Sequence, residues 1–188
     1  QRLPLKGKRR LLKRKRNLSV NIALTGTPGT GKTTLSKKLN YNIVSINQSY
    51  PEISDGKNEN GVWLINLDKL LEKIEVAKYN NTVFEGHVSH FLEDLDLVIV
   101  LRCQPNKLQE RLEERNYNQE KIRENIEAEA LNIISEEAMD SHGEEKVFEL
   151  DTSSSELDES VNLLNDIING NIKSNKRIDY SETIMDWY

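Results

Sequence analysis

Eight residues, Gly26-Thr27-Pro28-Gly29-Thr30-Gly31-Lys32-Thr33, match G-x-x-x-x-G-K-[ST] in full and limit what this chain can fold into more than any other feature. The glycines let the backbone curl so that successive N–H groups converge on phosphate oxygens, and a helix starting at the lysine adds the positive end of its dipole. Such a loop works only between a strand and a helix. Val20-Asn21-Ile22-Ala23-Leu24 reads as the strand, and Lys32 to Asn40, with Leu35 and Leu39 at i, i+4, reads as the helix. Gly29, Thr30, Gly31, Lys32, Thr33 and Thr34 are therefore expected to bind nucleotide. Lys32 should reach the β- and γ-phosphates, the Thr33 hydroxyl should ligate Mg²⁺, and Thr34 should assist at an α-phosphate oxygen.

Downstream the pattern keeps alternating. Ile43 to Ile46 reads as a second strand, and the polar stretch from Gln48 to Gly61, with Pro51 and Gly56, reads as a loop. Leu67, Leu70, Leu71, Ile74 and Ala77 mark an amphipathic helix capped by Asn66 or Asp68. Thr82 to Glu85 and Leu97 to Leu101 are β-rich, the second apolar enough to be buried on both faces. Pro105 opens a helix carrying Leu108 and Leu112, and a charged helix is expected from about Gln119 to Met139. Lys146 to Leu150 reads as the last strand, and Leu157 to Ile168 as a closing helix. Strands alternating with helices predict a three-layer α/β fold around a parallel sheet.

A chain of 188 residues, 36% hydrophobic, suits one such domain. Cys103 is the one cysteine, which excludes an internal disulfide and a cysteine metal cluster, and it reads as a small buried residue at a strand end. The net charge of −5 hides an asymmetry: the first 17 residues carry nine Lys/Arg and no acid, leaving 17 basic against 31 acidic residues in the remainder. The organisation read from this is a basic, disordered arm over 1–19, a folded unit over 20–168, and a tail over 169–188 whose aromatic end docks on the body or on a partner. Two readings of the arm stand: translated sequence upstream of a start at Val20, or a genuine arm able to hold RNA or another polyanion. Neither a membrane span nor a secretory signal is legible, so an intracellular protein is expected.

Phosphoryl transfer calls for an acid near the metal, and Glu85, at the end of its strand, is placed for it. His87 either orients a water or phosphate or is an ordinary turn histidine, while His90 and His142 carry no such signal. Arg111 and Arg115, one helical turn apart, form a clamp over the transition state or else pair with Glu110, Glu113 and Glu114 on the surface. Arg102 ends the central strand at the edge where open α/β sheets bind ligands, and so joins the nucleotide-binding candidates with Arg115.

Taken together, Gly26 to Thr34, Glu85-Gly86-His87, the Val-Leu-Arg ending at Arg102, and Glu110 to Asn118 resemble the atypical adenylate kinases of archaea and the eukaryotic nucleus. The resemblance implies the three-layer P-loop NTPase fold of nucleoside-monophosphate kinases, with a monophosphate-binding region over about 48–79 and a short lid over about 111–121. It further implies ATP-dependent phosphorylation of AMP with Mg²⁺, an ATPase activity, catalytic roles for Lys32, Glu85, His87, Arg111 and Arg115, and metal contacts at Thr33 and Glu85. A part in small ribosomal subunit maturation and rRNA processing, through a platform ribosomal protein, is implied too, as is a cytoplasmic place, or a nuclear one in a eukaryote. Glu85 stands where eukaryotic members carry Asp, and Asn116 where they carry Gly. Asn tolerates a left-handed backbone better than other non-glycine residues.

Two rivals are weighed against this reading. A GTPase would carry Asn/Thr-Lys-x-Asp, and both candidates, Asn106-Lys107-Leu108-Gln109 and Asn175-Lys176-Arg177-Ile178, lack the Asp. An assembly factor gated by nucleotide, an ATPase switch whose kinase turnover is incidental, would suit the basic arm and aromatic tail.

Overall fold

The computed structural model describes residues 19–154, 156–173 and 176–185. The basic arm lies almost wholly outside them, as do Trp187 and Tyr188 of the tail. Five strands run parallel: β1 (Asn21–Thr25), β2 (Asn42–Ser45), β5 (Thr82–Glu85), β6 (Leu97–Arg102) and β7 (Val147–Asp151), in the order β2-β5-β1-β6-β7. Alternation along each strand feeds two cores. Ala23, Phe84, Val98, Val100 and Val147 face one side, where Leu70, Ile74 and Ala138 cover them. Ile22, Leu24, Val83, Ile99 and Leu101 face the other, beneath Leu35, Leu39, Leu164 and Ile167. The covering elements are α2 (Leu67–Lys73) and α5 (Ile133–His142) on the first face, and α1 (Lys32–Ser36) and α6 (Leu157–Ile168) on the second. The predicted three layers are therefore present. Because β1 pairs with β5 on one side and β6 on the other, the strand order reverses at β1, and the crevice of an open sheet forms there.

Three expectations are corrected. The helix after the loop is short, ending at Ser36, and turns carry the chain on to Asn40 while Leu39 still reaches the core. The supposed loop over 48–61 contributes half of an antiparallel hairpin, β3 (Ser54–Lys57) with β4 (Trp63–Ile65). Its strand Ser-Asp-Gly-Lys has no apolar alternation; the turn holds it, with the Asn58 carboxamide accepting from the amides of Asn60 and Val62, and Gly61 at φ 75°. The single helix from Gln119 to Met139 is two, α4 (Gln119–Ala130) and α5, divided at Asn132, which takes φ 58°. A partner far along the chain fixes that break, because the Asn132 carboxamide accepts a 2.5 Å bond from Arg102 Nη2.

A helix α3 (Pro105–Glu114) joins β6 to α4, and Leu108, Leu112 and Ile122 pack with Cys103 in a third small core, which places the cysteine at its strand end as read. The turn between α3 and α4 has Asn116 at φ 56°, the left-handed conformation anticipated for it. A short helix α7 (Ser181–Met185) closes the described chain. No helix among the described residues is long and apolar enough to cross a membrane.

Candidate active site

The phosphate loop leaves β1 at Gly26 and enters α1 at Lys32. Two glycines there have no substitute. A Cβ on Gly26, at φ 134°, would stand 2.4 Å from the Leu101 carbonyl oxygen, and one on Gly29, at φ 98°, would stand 2.7 Å from Leu108 Cδ1. The loop is thus pressed between β6 and α3. Thr30 stiffens it from within, donating its hydroxyl to Thr27 O at 2.8 Å. Lys32 folds back over the loop, its ammonium donating to Gly26 O at 2.6 Å and Thr27 O at 3.0 Å. Burial brings that ammonium down to about 8, against the pull of Glu85 and Glu129 and with a further push from Arg115.

Glu85 arrives by register. β5 pairs with both neighbours so that Glu85 lies opposite Leu24 on β1 and Ser45 on β2. Its carboxylate accepts from Ser45 Oγ at 2.6 Å and from Thr33 Oγ1 at 3.1 Å, and the residue is 2% exposed. A hydroxyl and a carboxylate so joined are the oxygen donors Mg²⁺ takes from a protein when phosphates and waters complete its octahedron. The described residues hold no group of three or more His, Cys, Asp or Glu suited to a metal. Thr33 and Glu85 fit Mg²⁺.

His87 follows two residues on, with Nδ1 at 2.7 Å from the Tyr50 hydroxyl and the rings edge to face. Burial, with the charges of Lys32 and Lys121, brings the imidazole down to about 4, so it is neutral near pH 7. Burial also pushes the Tyr50 phenol up, helped by Glu85, which keeps it protonated. His90, read as ordinary, is 1% exposed and bridges Thr25 Oγ1 at 3.0 Å and Glu137 Oε2 at 3.3 Å.

Two cavities flank the loop. One, of about 430 Å³, opens beside Lys32, Thr33, Tyr50, Trp63, His87 and Tyr117. The other, of about 290 Å³, lies between Thr30, Leu35, Arg111, Thr152, Leu157 and Ser160. Gly29, Gly31, Thr34 and Arg115 line both.

The three candidate arginines part company. Arg115, exposed at the end of α3, faces both cavities, and neither it nor Arg111 forms an ion pair with Glu110, Glu113 or Glu114. Arg111 lines the smaller cavity with Arg115 and is fastened to its wall: it donates to Thr152 O at 2.6 Å and approaches Thr152 Oγ1 at 3.3 Å and Gly29 O at 3.5 Å. Arg102 is corrected outright as a nucleotide contact. It is 1% exposed, and its Nε donates to Glu129 Oε1 at 2.7 Å while Nη1 donates to Glu149 Oε1 at 3.0 Å. Nη2 is held by Glu129 O at 2.9 Å and by Asn132. Burial alone would weaken its charge, but the two carboxylates outweigh it and hold the guanidinium protonated. A sequence pattern registers that Arg102 ends a strand; it does not register two acids arriving from α4 and β7.

Sequence reasoning also missed Ser45, Tyr50, Glu129 and Thr152. Glu129 accepts the Thr27 hydroxyl at 2.5 Å and the Cys103 amide at 3.1 Å, and Thr152 Oγ1 lies 2.9 Å from Thr30 O. Glu129 and Thr152 reach the loop from distant parts of the chain, while Ser45 and Tyr50 reach Glu85 and His87, and only the fold could have paired them.

A family model described as an AAA domain matches residues 22–132. The chain is 39% identical over 174 residues to the "Putative adenylate kinase" of Pyrococcus furiosus, spanning 88% of this chain and 90% of that protein. It is 41% identical over 171 residues to the protein of the same name from Pyrococcus abyssi, with 88% and 90% covered. Among solved structures, shikimate kinase from Acinetobacter baumannii in complex with shikimate superposes with a TM-score of 0.56 at 15% identity, over 84% of this chain and 97% of that one. At that identity the likeness is one of fold.

Proposed function

This chain belongs to the AAA-domain family and to the family of those archaeal proteins, and from that premise we propose that it is an adenylate kinase, moving the γ-phosphoryl group of ATP to AMP with water as a slower acceptor. The observation that carries the reading is one loop shared by two cavities. An enzyme that only hydrolyses needs room for one nucleotide, whereas here Gly29, Gly31, Thr34 and Arg115 border two spaces at once. The triphosphate would lie along the loop with its base in the smaller space, between Arg111 and Leu157, and the acceptor would enter the larger one beside Tyr50, Trp63 and Tyr117.

Lys32 leaves the Gly26 and Thr27 carbonyls and turns to the β- and γ-phosphates, exchanging two neutral acceptors for anionic ones. Thr33 and Glu85 hold Mg²⁺, which when bound neutralises charge on the phosphate oxygens. Arg115, between the two spaces, is the cation that meets the charge of the group in flight, and Arg111 secures the wall behind it. A phosphate acceptor is already an anion and needs no base. His87 serves the slower route: Nδ1 shares a hydrogen bond with the Tyr50 hydroxyl, which leaves Nε2 to orient a water or phosphoryl oxygen. Neutral at pH 7 and so fixed, it favours transfer over hydrolysis.

The cytoplasmic site and the part in small-subunit maturation that the resemblance implies belong to the same reading. The deciding assay follows ADP and phosphate formed from Mg·ATP with AMP, with other monophosphates and with water alone, each with and without the platform ribosomal protein. ADP in excess over phosphate, dependent on AMP, is the expected result. Phosphate release stimulated by the protein and indifferent to AMP would replace the kinase with an ATPase switch.

A further inference from the structure

The phosphate loop is tied to the far end of the chain. Glu129, 3% exposed on α4, holds the Thr27 hydroxyl with Oε2 and the Arg102 guanidinium with Oε1. Arg102 in turn holds Glu149 on β7 and, through Nη1, the carbonyl of Ile178 at 3.0 Å. The Ile178 amide donates to Glu149 Oε2 at 2.5 Å, so one residue of the tail bonds through both its backbone donor and its backbone acceptor to the two members of a buried ion pair. Tyr180 lies over the guanidinium at 5.2 Å, with its hydroxyl 3.4 Å from Ser153 Oγ, and Ser153 accepts the Gln104 amide at 2.7 Å. Buried charges need every hydrogen bond they can make, and a buried pair deprived of one relaxes towards another geometry.

We propose that Ile178 and Tyr180 are positioning residues for the phosphate loop, acting through Arg102 and Glu129 on Thr27. The tail bonds to Arg102 and Glu149; Arg102 so held keeps the Glu129 carboxylate aimed at the loop; and the Thr27 hydroxyl so held fixes the loop backbone at Thr27, whose carbonyl anchors the Thr30 hydroxyl. The proposal rests on the loop's binding ATP, as read above. By linkage the same chain runs backwards, so nucleotide on the loop tightens the tail.

The test is a double-mutant cycle in the full chain, measuring Mg·ATP affinity by calorimetry at pH 7 for wild type, Thr27→Val, Tyr180→Ala and the pair. We expect Thr27→Val to weaken ATP by about tenfold and Tyr180→Ala by about threefold, with the pair no weaker than Thr27→Val alone, because the second change has nothing left to act through. Tyr180→Phe, which keeps the ring over Arg102, should recover most of the loss, and in both Tyr180 variants the KM for AMP should stay at the wild-type value. An additive pair, about thirtyfold weaker, would overturn the link. Hydrogen exchange in the wild-type chain supplies a readout without mutation: the Ile178 amide should exchange about threefold more slowly with Mg·ATP bound, and unchanged exchange would overturn the link as well. A wild-type chain that takes up no ATP would overturn both the link and the reading beneath it, whereas uptake without coupling overturns the link alone.

Discussion

Glu85 and Glu129 are the same residue at the same depth, 2% and 3% exposed, each accepting the hydroxyl of a threonine from one end of the phosphate loop. They differ in what neutralises them. Glu129 has the Arg102 guanidinium at 2.7 Å, and its charge is closed within the protein. No ion pair reaches Glu85 among the described residues; two hydroxyls hold its oxygens. A carboxylate with a resident cation builds the loop, and one without would, in the function proposed above, be the one to attract a cation that comes with the substrate.

Removing the resident cation should break that comparison most. Arg102→Met leaves Glu129 and Glu149 buried together without it, and a loss of about 3–5 kcal/mol is expected in urea unfolding. A near-wild-type midpoint would make Glu129 no more structural than Glu85. On the other side, Glu85→Gln keeps the hydrogen bonds and removes the charge: kcat with AMP should fall by about 10²–10³ while the unfolding midpoint hardly moves.

Lys32 stands in the field of both acids, which makes it the gauge of their difference. Its free-state pKa is lowered to about 8, and the phosphates bind its charged form, so Mg·ATP affinity should hold below that pH and fall about tenfold per unit above it. In Glu85→Gln the break should move to lower pH than in Glu129→Gln, since Glu85 gives the larger pull; equal movement would erase the distinction. The acid response reads the two buried histidines instead of the acids. His87 and His90 have pKa values lowered to about 4 and about 3, beneath the ordinary 6.5, so protons bind the unfolded chain first. Stability should be full above pH 6.5 and fall as the pH drops towards 4, by about 1.4 kcal/mol per unit for each histidine. Ser45→Ala, which takes one hydrogen bond from Glu85, should cost about 1 kcal/mol in the same assay.

What could be read in advance follows the reach of each interaction. β5 and α6 carry their own signals, an apolar alternation and a 3.6-residue stripe, and their bounds match the reading. The phosphate loop is a contiguous motif and needs nothing from elsewhere to be recognised. Glu129 looks like any acid on a charged helix until β6 brings Arg102 beneath it, and the same arginine ends α4 at Asn132. Tyr50 lies in a polar stretch with no pattern, and its meaning comes only from the His87 ring 2.7 Å away.

Gly29 sets a limit on motion. The space its side chain would fill belongs to Leu108 and Leu112, so the root of α3 is pinned to the loop and cannot swing away from it. Any stroke that carries Arg115 towards a substrate must come from its own side chain and the last turn beyond Leu112, before the left-handed Asn116. Such a stub works as a finger and not as a door. For the kinase proposed above, such a finger would touch the departing charge without sealing the larger cavity.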